Sequence, residues 1–184
     1  MKALFISMLL FRSLISESQV IVSKGFEDSL HIREQANIGK PFKSFNKKDV
    51  TGKYFTDKDL KGKITLVNFW FAACHPCVAE FEAFNKIFDS LSTNEDFRFI
   101  SFTFDNVNSI AESIRKYQLH FPIISISKEE CYSLNGSSGF PISMIVDREG
   151  KIAYIKSGGD LDKKQATKDV NQTLLPKIIQ LLNN

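Results

Sequence analysis

The sequence predicts an α/β sandwich, a mixed sheet with helices on both sides. Three observations carry that expectation. Residues 64–71 form a short apolar run broken only by Thr65 and Asn68, as in a central strand buried on both faces. Phe81, Phe84, Ile87, Phe88 and Leu91 then recur at three- and four-residue spacing, which gives the next segment the apolar stripe of a helix. Further on, Asp147-Arg148-Glu149-Gly150 separates two strand-like segments and reads as a hairpin turn.

Taken in order, residues 1–18 look like an export signal. Lys2 is followed by an apolar run interrupted only by Ser7 and ended by Arg12, and Ser16-Glu17-Ser18 offers a small-x-small cleavage site. The run is about half the ~20 residues needed to span a bilayer, so a cleaved signal is preferred to an anchor. The bland alternative is an apolar N-terminal helix. Residues 19–36 read as an N-terminal β extension, with Val20-Ile21-Val22 as a short strand and no function assigned. The domain proper is expected over 37–184, because Gly39 and Pro41 punctuate its start.

Within it, 42–49 and 54–56 read as a hairpin around Thr51-Gly52, and Leu60-Lys61-Gly62-Lys63 as a tight turn. Strand 64–71 leads to a helix from about 75 to 90. A second strand covers 97–104, and a helix covers 107–117 with Asn106 or Asp105 as N-cap. A strand at 121–126 and a short helix at 128–134 precede the loop Gly136-Ser137-Ser138-Gly139. Strands 141–146 and 151–156 make the hairpin. A terminal helix over 162–182 is expected to kink or split at Pro176. The strand–helix–strand–helix–strand order implies parallel strands with right-handed crossovers.

A length of 184 residues suits one domain with a proper core, and 43% hydrophobic residues mark a globular chain. A net charge of +3, with no dense Lys/Arg stripe, argues against a nucleic-acid partner. The 17 Phe residues read as core rather than as a cofactor site. The cysteines are Cys74, Cys77 and Cys131. One close pair and one distant residue do not make a disulfide scaffold. They suggest a reactive pair plus a spare thiol.

The pair sits where the central strand gives way to the helix. Cys74 falls at the helix N-terminus, where free N–H groups and the dipole favour a thiolate, and is the candidate nucleophile. Cys77, one turn deeper, is the candidate to attack a mixed disulfide and release the partner. His75 either favours the Cys74 thiolate or is an idle exposed residue; spacing leaves both open. Glu80, three residues after Cys77, shares its helical face. Either it takes the Cys77 proton or it is a surface acid like Glu82. Cys131 reads as a free, half-buried thiol, with a third exchanging cysteine as the lesser reading. One Cys-x-x-Cys falls short of the tetrahedral ligand set of a structural zinc, and His31, His75 and His120 are scattered, so no metal and no cofactor are expected.

Leu66-Val67-Asn68-Phe69-Trp70, Cys74-His75-Pro76-Cys77 and Glu80 together resemble the TlpA/ResA-like thiol–disulfide oxidoreductases of the thioredoxin superfamily. Leu60-Lys61-Gly62-Lys63 and Gly139-Phe140-Pro141 ahead of Asp147-Arg148-Glu149-Gly150-Lys151 match as well. The resemblance covers about 37–183 and implies a thioredoxin fold. It implies catalytic Cys74, Cys77 and Glu80, and a partner-facing surface of Trp70, His75, Pro76, Phe140 and Pro141, with Pro141 cis and opposite the cysteines. Asn68 stands where thioredoxin itself carries a buried Asp. Two residues depart from the pattern: Ala73 where Trp is usual, and Phe140 where Thr or Val is. The implied partners are a disulfide-containing protein and a membrane or envelope electron donor, for an exported monomer acting in the periplasm or cell envelope. A reductive role, such as keeping cytochrome c apoprotein thiols reduced, is implied. Rival readings are a copper-binding or redox-dead adaptor of the same fold, and a peroxiredoxin-like peroxidase. The last is disfavoured because Phe71-Ala72-Ala73, and no Pro and Thr, precede Cys74.

Overall fold

A computed structural model describes Ser29, Ile32 and residues 34–184. The expected signal over 1–18 and the short strand at 20–22 lie outside the described residues. Asn37–Asn184 forms one compact unit. It opens with a two-stranded antiparallel hairpin, β1 (Asn46–Lys48) and β2 (Tyr54–Thr56). The main elements follow: β3 (Ile64–Trp70), α1 (His75–Leu91), β4 (Phe97–Thr103), α2 (Val107–Tyr117) and β5 (Ile123–Ser125). Then come α3 (Lys128–Leu134), β6 (Ile142–Val146), β7 (Ile152–Ser157) and α4 (Lys163–Leu182).

The five-stranded sheet has the order β5-β4-β3-β6-β7. β3, β4 and β5 run parallel, while β6 pairs antiparallel with β3 and with β7. β3 is thus central, and all seven of its residues are buried, which is why its sequence shows no polar–apolar alternation. Ile64, Leu66 and Trp70 face Phe81, Phe84 and Ile87 of α1 and Val170, Leu174 and Ile178 of α4. Val67 and Phe69 face the other way, toward Phe42, Phe45, Phe55, and Cys131 and Leu134 of α3. The phenylalanines fill both layers: Phe99 stacks on Phe121 at 4.6 Å and Phe69 on Phe102 at 5.3 Å.

A row of polar residues interrupts the first layer. Asn68 of β3 pairs in register with Ser101 of β4 and Ser143 of β6, and Ser143 with Lys156 of β7. The side-chain period of two puts this whole row on the α1 face of the sheet. The row is only partly matched, since Asn68 Oδ1 is buried with no hydrogen-bond partner among the described residues. Asn68 Nδ2 donates to Ser143 Oγ at 3.1 Å, and the Trp70 indole N–H donates to Ser101 Oγ at 3.3 Å.

One expectation changes, the break at Pro176, and one open choice is decided, the cap of α2. Helix α4 runs unbroken with Pro176 inside it. Leu174 and Ile178, on either side of the proline, are fully buried, and this packing holds the helix on the sheet across the missing N–H. Asn106 is the N-cap of α2, its Oδ1 accepting from the Ser109 N–H at 3.0 Å. Asp105 has a different task, described next.

Candidate active site

β3 ends on the buried Trp70, and the chain turns through Phe71-Ala72-Ala73 into α1. The Cys74 N–H closes this turn on the Phe71 carbonyl at 3.0 Å. Asp105, at the end of β4, pins it from the side: its Oδ2 accepts from the Ala72 N–H at 2.6 Å and from Thr103 Oγ1 at 2.9 Å. Cys74 thereby becomes the N-cap of α1, followed by His75 and Pro76 in the first turn. Its sulfur accepts a hydrogen bond from the Cys77 N–H at 3.3 Å. A sulfur in that place meets an unsatisfied helix donor and the positive end of the dipole, both of which favour its thiolate when reduced.

Cys74 and Cys77 are joined in a disulfide, with Cα atoms 5.3 Å apart. Cys74 is 6% exposed and Cys77 1%. Cys77 is the deeper of the two. His75 is exposed at the head of the helix, and Pro76 is half-buried behind it. Among the described residues no group of three or more His, Cys, Asp or Glu is placed to hold a metal ion.

Glu80 is 1% exposed, so it is no ordinary surface acid. Its Oε1 accepts from Lys156 Nζ at 2.5 Å, while Oε2 is buried with no hydrogen-bond partner among the described residues. Burial raises its carboxyl pKa above the usual carboxylate range; the Lys156 ammonium pulls it back, and Asp169 on α4 adds a smaller rise. Glu82, two residues on, is exposed and paired with Lys86 at 2.6 Å. The two acids on one helix therefore differ by the face they occupy.

The raised Glu80 value has a stability consequence with a fixed sign. Between the unfolded carboxyl pKa and the higher folded one, the native state binds more protons, so stability falls as pH rises through that window. Replacing Glu80 by Gln removes the titration. Urea unfolding of the oxidised protein is expected to show wild type losing ground to Glu80→Gln as pH rises from about 4.5, a trend that a flat difference would exclude.

The Phe140–Pro141 bond is cis. The Pro141 carbonyl accepts from the Gly158 N–H at 3.0 Å, which brings the β7–α4 loop over the site. Gly159 is at its centre. A Cβ on this residue would meet Pro141 Cγ at 2.9 Å, Glu80 Oε1 at 3.2 Å and Pro76 Cβ at 3.3 Å. Three of the predicted site residues thus converge on one backbone position. Phe140 is half-buried in an aromatic group with Phe71 at 5.3 Å, Phe104 at 5.5 Å and Tyr132 at 5.4 Å.

The expected surface needs one correction. Trp70 is fully buried, edge-on to Phe81 at 5.0 Å, so it lies under the expected surface and is not part of it. Cys131 is deeper than the half-buried thiol expected. It is fully buried in α3, and burial pushes its thiol up to about 12, which leaves no thiolate for exchange at neutral pH. Iodoacetamide treatment of the reduced native protein is expected to label Cys74 first and leave Cys131 for the denatured chain; rapid native labelling of Cys131 would contradict this.

Lys156, Gly159 and Asp105 are site neighbours that the sequence does not single out as such. Lys156 lies 76 residues from Glu80, beyond any spacing argument. Its one local signal is that, two residues after Tyr154, it shares the inward face of a strand, where a lysine is out of place.

Residues 38–155 match the AhpC/TSA family. Thiol-disulfide oxidoreductase ResA of Bacillus thuringiensis is 28% identical over 121 residues, 65% of this chain and 69% of that protein. The thioredoxin domain of a thiol-disulfide oxidoreductase from Bacteroides vulgatus superposes with a TM-score of 0.58 at 26% identity, over 73% of this chain and 98% of that one. A thioredoxin-family thiol:disulfide interchange protein from Chlorobium tepidum superposes with a TM-score of 0.59 at 23% identity, over 73% and 96%. With a thioredoxin-type sheet, a Cys-x-x-Cys disulfide heading α1 and these relatives, the chain belongs to the AhpC/TSA family, among its ResA-like thiol–disulfide oxidoreductases of thioredoxin fold.

Proposed function

We propose that this oxidoreductase reduces disulfides in partner proteins outside the cytoplasm, with Cys74 attacking, Cys77 resolving and Glu80 moving the proton. The observation that carries the reading is the Cys74–Cys77 disulfide at the head of α1 with the buried Glu80 one turn on. In the reduced protein, the Cys74 thiolate attacks one sulfur of the partner disulfide. The partner's other sulfur leaves and takes a proton from solvent. Cys77 gives its proton to Glu80 and attacks Cys74 Sγ. The Cys74–Cys77 bond forms, the second partner sulfur leaves, and two electrons have passed to the partner. An envelope or membrane electron donor must then return two electrons to the pair. The Phe140 backbone, next to the cis proline, is free to align an extended partner segment, with Pro76 and Pro141 flanking the sulfurs.

The export part of this reading rests on Lys2 and the apolar run after it. Among the described residues no helix is long and apolar enough to cross a membrane. The direction of electron flow is tested by equilibrating the Cys74–Cys77 couple with a dithiol buffer. A potential near or below about −270 mV is expected for a reductant; one near the roughly −120 mV of a strong oxidant reverses the direction. Peroxide turnover without insulin reduction would favour the peroxidase reading instead.

A further inference from the structure

The Glu80–Lys156 pair is unlike Lys47–Glu130, Lys86–Glu82 and Arg148–Asp96, which all lie at the surface. The Lys156 side chain is 12% exposed and that of Glu80 1%. Burying two charges is costly, and a buried ion pair is weak evidence for stability. Its geometry points to another use. Lys156 ends the polar row Ser101–Asn68–Ser143–Lys156 on the α1 face and reaches the carboxylate one helical turn from Cys77. It engages only Oε1 and leaves Oε2 buried without a hydrogen-bond partner among the described residues. A second bond, to the Gly158 carbonyl at 2.8 Å, fixes the ammonium so that it cannot swing to Oε2 without releasing the loop. The charged groups acting on Glu80 are Lys156 of β7 and Asp169 of α4, and Asp169 is itself held by Gln165 at 2.6 Å.

We propose that Lys156 is a positioning residue for the resolving step: it holds Glu80 as a carboxylate with Oε1 occupied, so that Oε2 accepts the Cys77 proton, and thereby sets the pH at which Cys77 attacks. The proposal rests on the exchange reading above. The proton passes from Cys77 Sγ to Glu80 Oε2, and Lys156 remains an ammonium throughout. Without the cation, Glu80 keeps its own proton to higher pH and is no base. A neighbouring opposite charge shifts a carboxyl by about 1–3 pH units. Loss of Lys156 is therefore expected to move the resolving step up by at least about one unit and to slow it roughly tenfold on the acid limb.

The test uses the reduced full-length protein and 5,5′-dithiobis(2-nitrobenzoate), which releases one thiolate when Cys74 attacks and a second when Cys77 resolves. The second phase is followed from pH 5 to 9 for wild type, K156M, K156R, E80Q and K156M/E80Q. Under the proposal, K156M raises the midpoint, K156R restores it, and K156M adds nothing in the E80Q background. An unmoved K156M midpoint, or an equal shift with and without Glu80, overturns it. The wild-type protein supplies an independent check: a Glu80 carboxyl that 13C NMR finds protonated at pH 7 in the reduced state also overturns it. Absence of any second phase in wild type would instead sink the exchange reading, and this proposal with it.

Discussion

Replacing Cys74 by serine is expected to abolish disulfide exchange, while replacing Cys77 by serine is expected to leave attack intact and block release. The difference follows from where the two sulfurs sit. Cys74 caps α1 and receives the Cys77 N–H, so it is the sulfur whose thiolate the helix stabilises. Cys77 is within the first turn and almost fully buried, so a partner disulfide cannot reach it before Cys74. A serine hydroxyl has no accessible anion near neutral pH. Insulin reduction by Cys74→Ser is expected to fall by at least on the order of 10³, the kind of loss that follows removal of a nucleophile. Cys77→Ser is expected to accumulate mixed disulfides that survive non-reducing electrophoresis and dissolve with dithiothreitol. If Cys74→Ser traps partners instead, the two roles are exchanged.

The fold was legible because local and global signals agree. The 64–71 run, the Phe81–Phe84–Ile87 stripe and the Asp147–Gly150 turn each describe a surface that only one neighbour can cover. The observed β3, α1 and β6–β7 hairpin follow them within a residue or two. The sulfur chemistry was legible for the same reason, since Cys74, Cys77 and Glu80 occupy adjacent turns of one helix. What closes the site was not legible. The family resemblance puts Trp70 on the partner-facing surface, yet the strand's period points it inward to Phe81 and Ser101. Asp105 reads as a helix cap, yet its carboxylate holds Ala72 on another strand's end. Lys156 and Gly159 arrive on the β7–α4 connection, and their relation to Glu80 exists only once the sheet order β3-β6-β7 has formed. Contacts between helix and distant strand are set by topology, and topology leaves no spacing in the sequence.

Gly159 exposes that dependence most directly. Its backbone is not in the left-handed region, so an alanine there meets no conformational penalty. The obstacle is space. The added methyl would stand 2.9 Å from the ring of Pro141 and 3.2 Å from Glu80 Oε1. Neither neighbour yields easily, since the proline is a closed ring at the start of β6 and the carboxylate is tied to Lys156. The loop must therefore lift, which stretches the Gly158–Pro141 and Lys156–Gly158 hydrogen bonds that hold it. Gly159→Ala is expected to cost about 1–3 kcal/mol, the scale of overpacking a filled space, and to slow exchange by opening the ion pair to water. Gly52→Ala is the comparison. Its Cβ would meet nothing within 4 Å, but its φ of +91° penalises a side chain, by about 1–2 kcal/mol. The two variants should thus lose similar stability in urea, yet only Gly159→Ala should alter the rate and pH profile of exchange. Equal kinetics in both would mean that the loop merely covers the site, and that the meeting of Pro76, Glu80 and Pro141 around this glycine has no part in the chemistry.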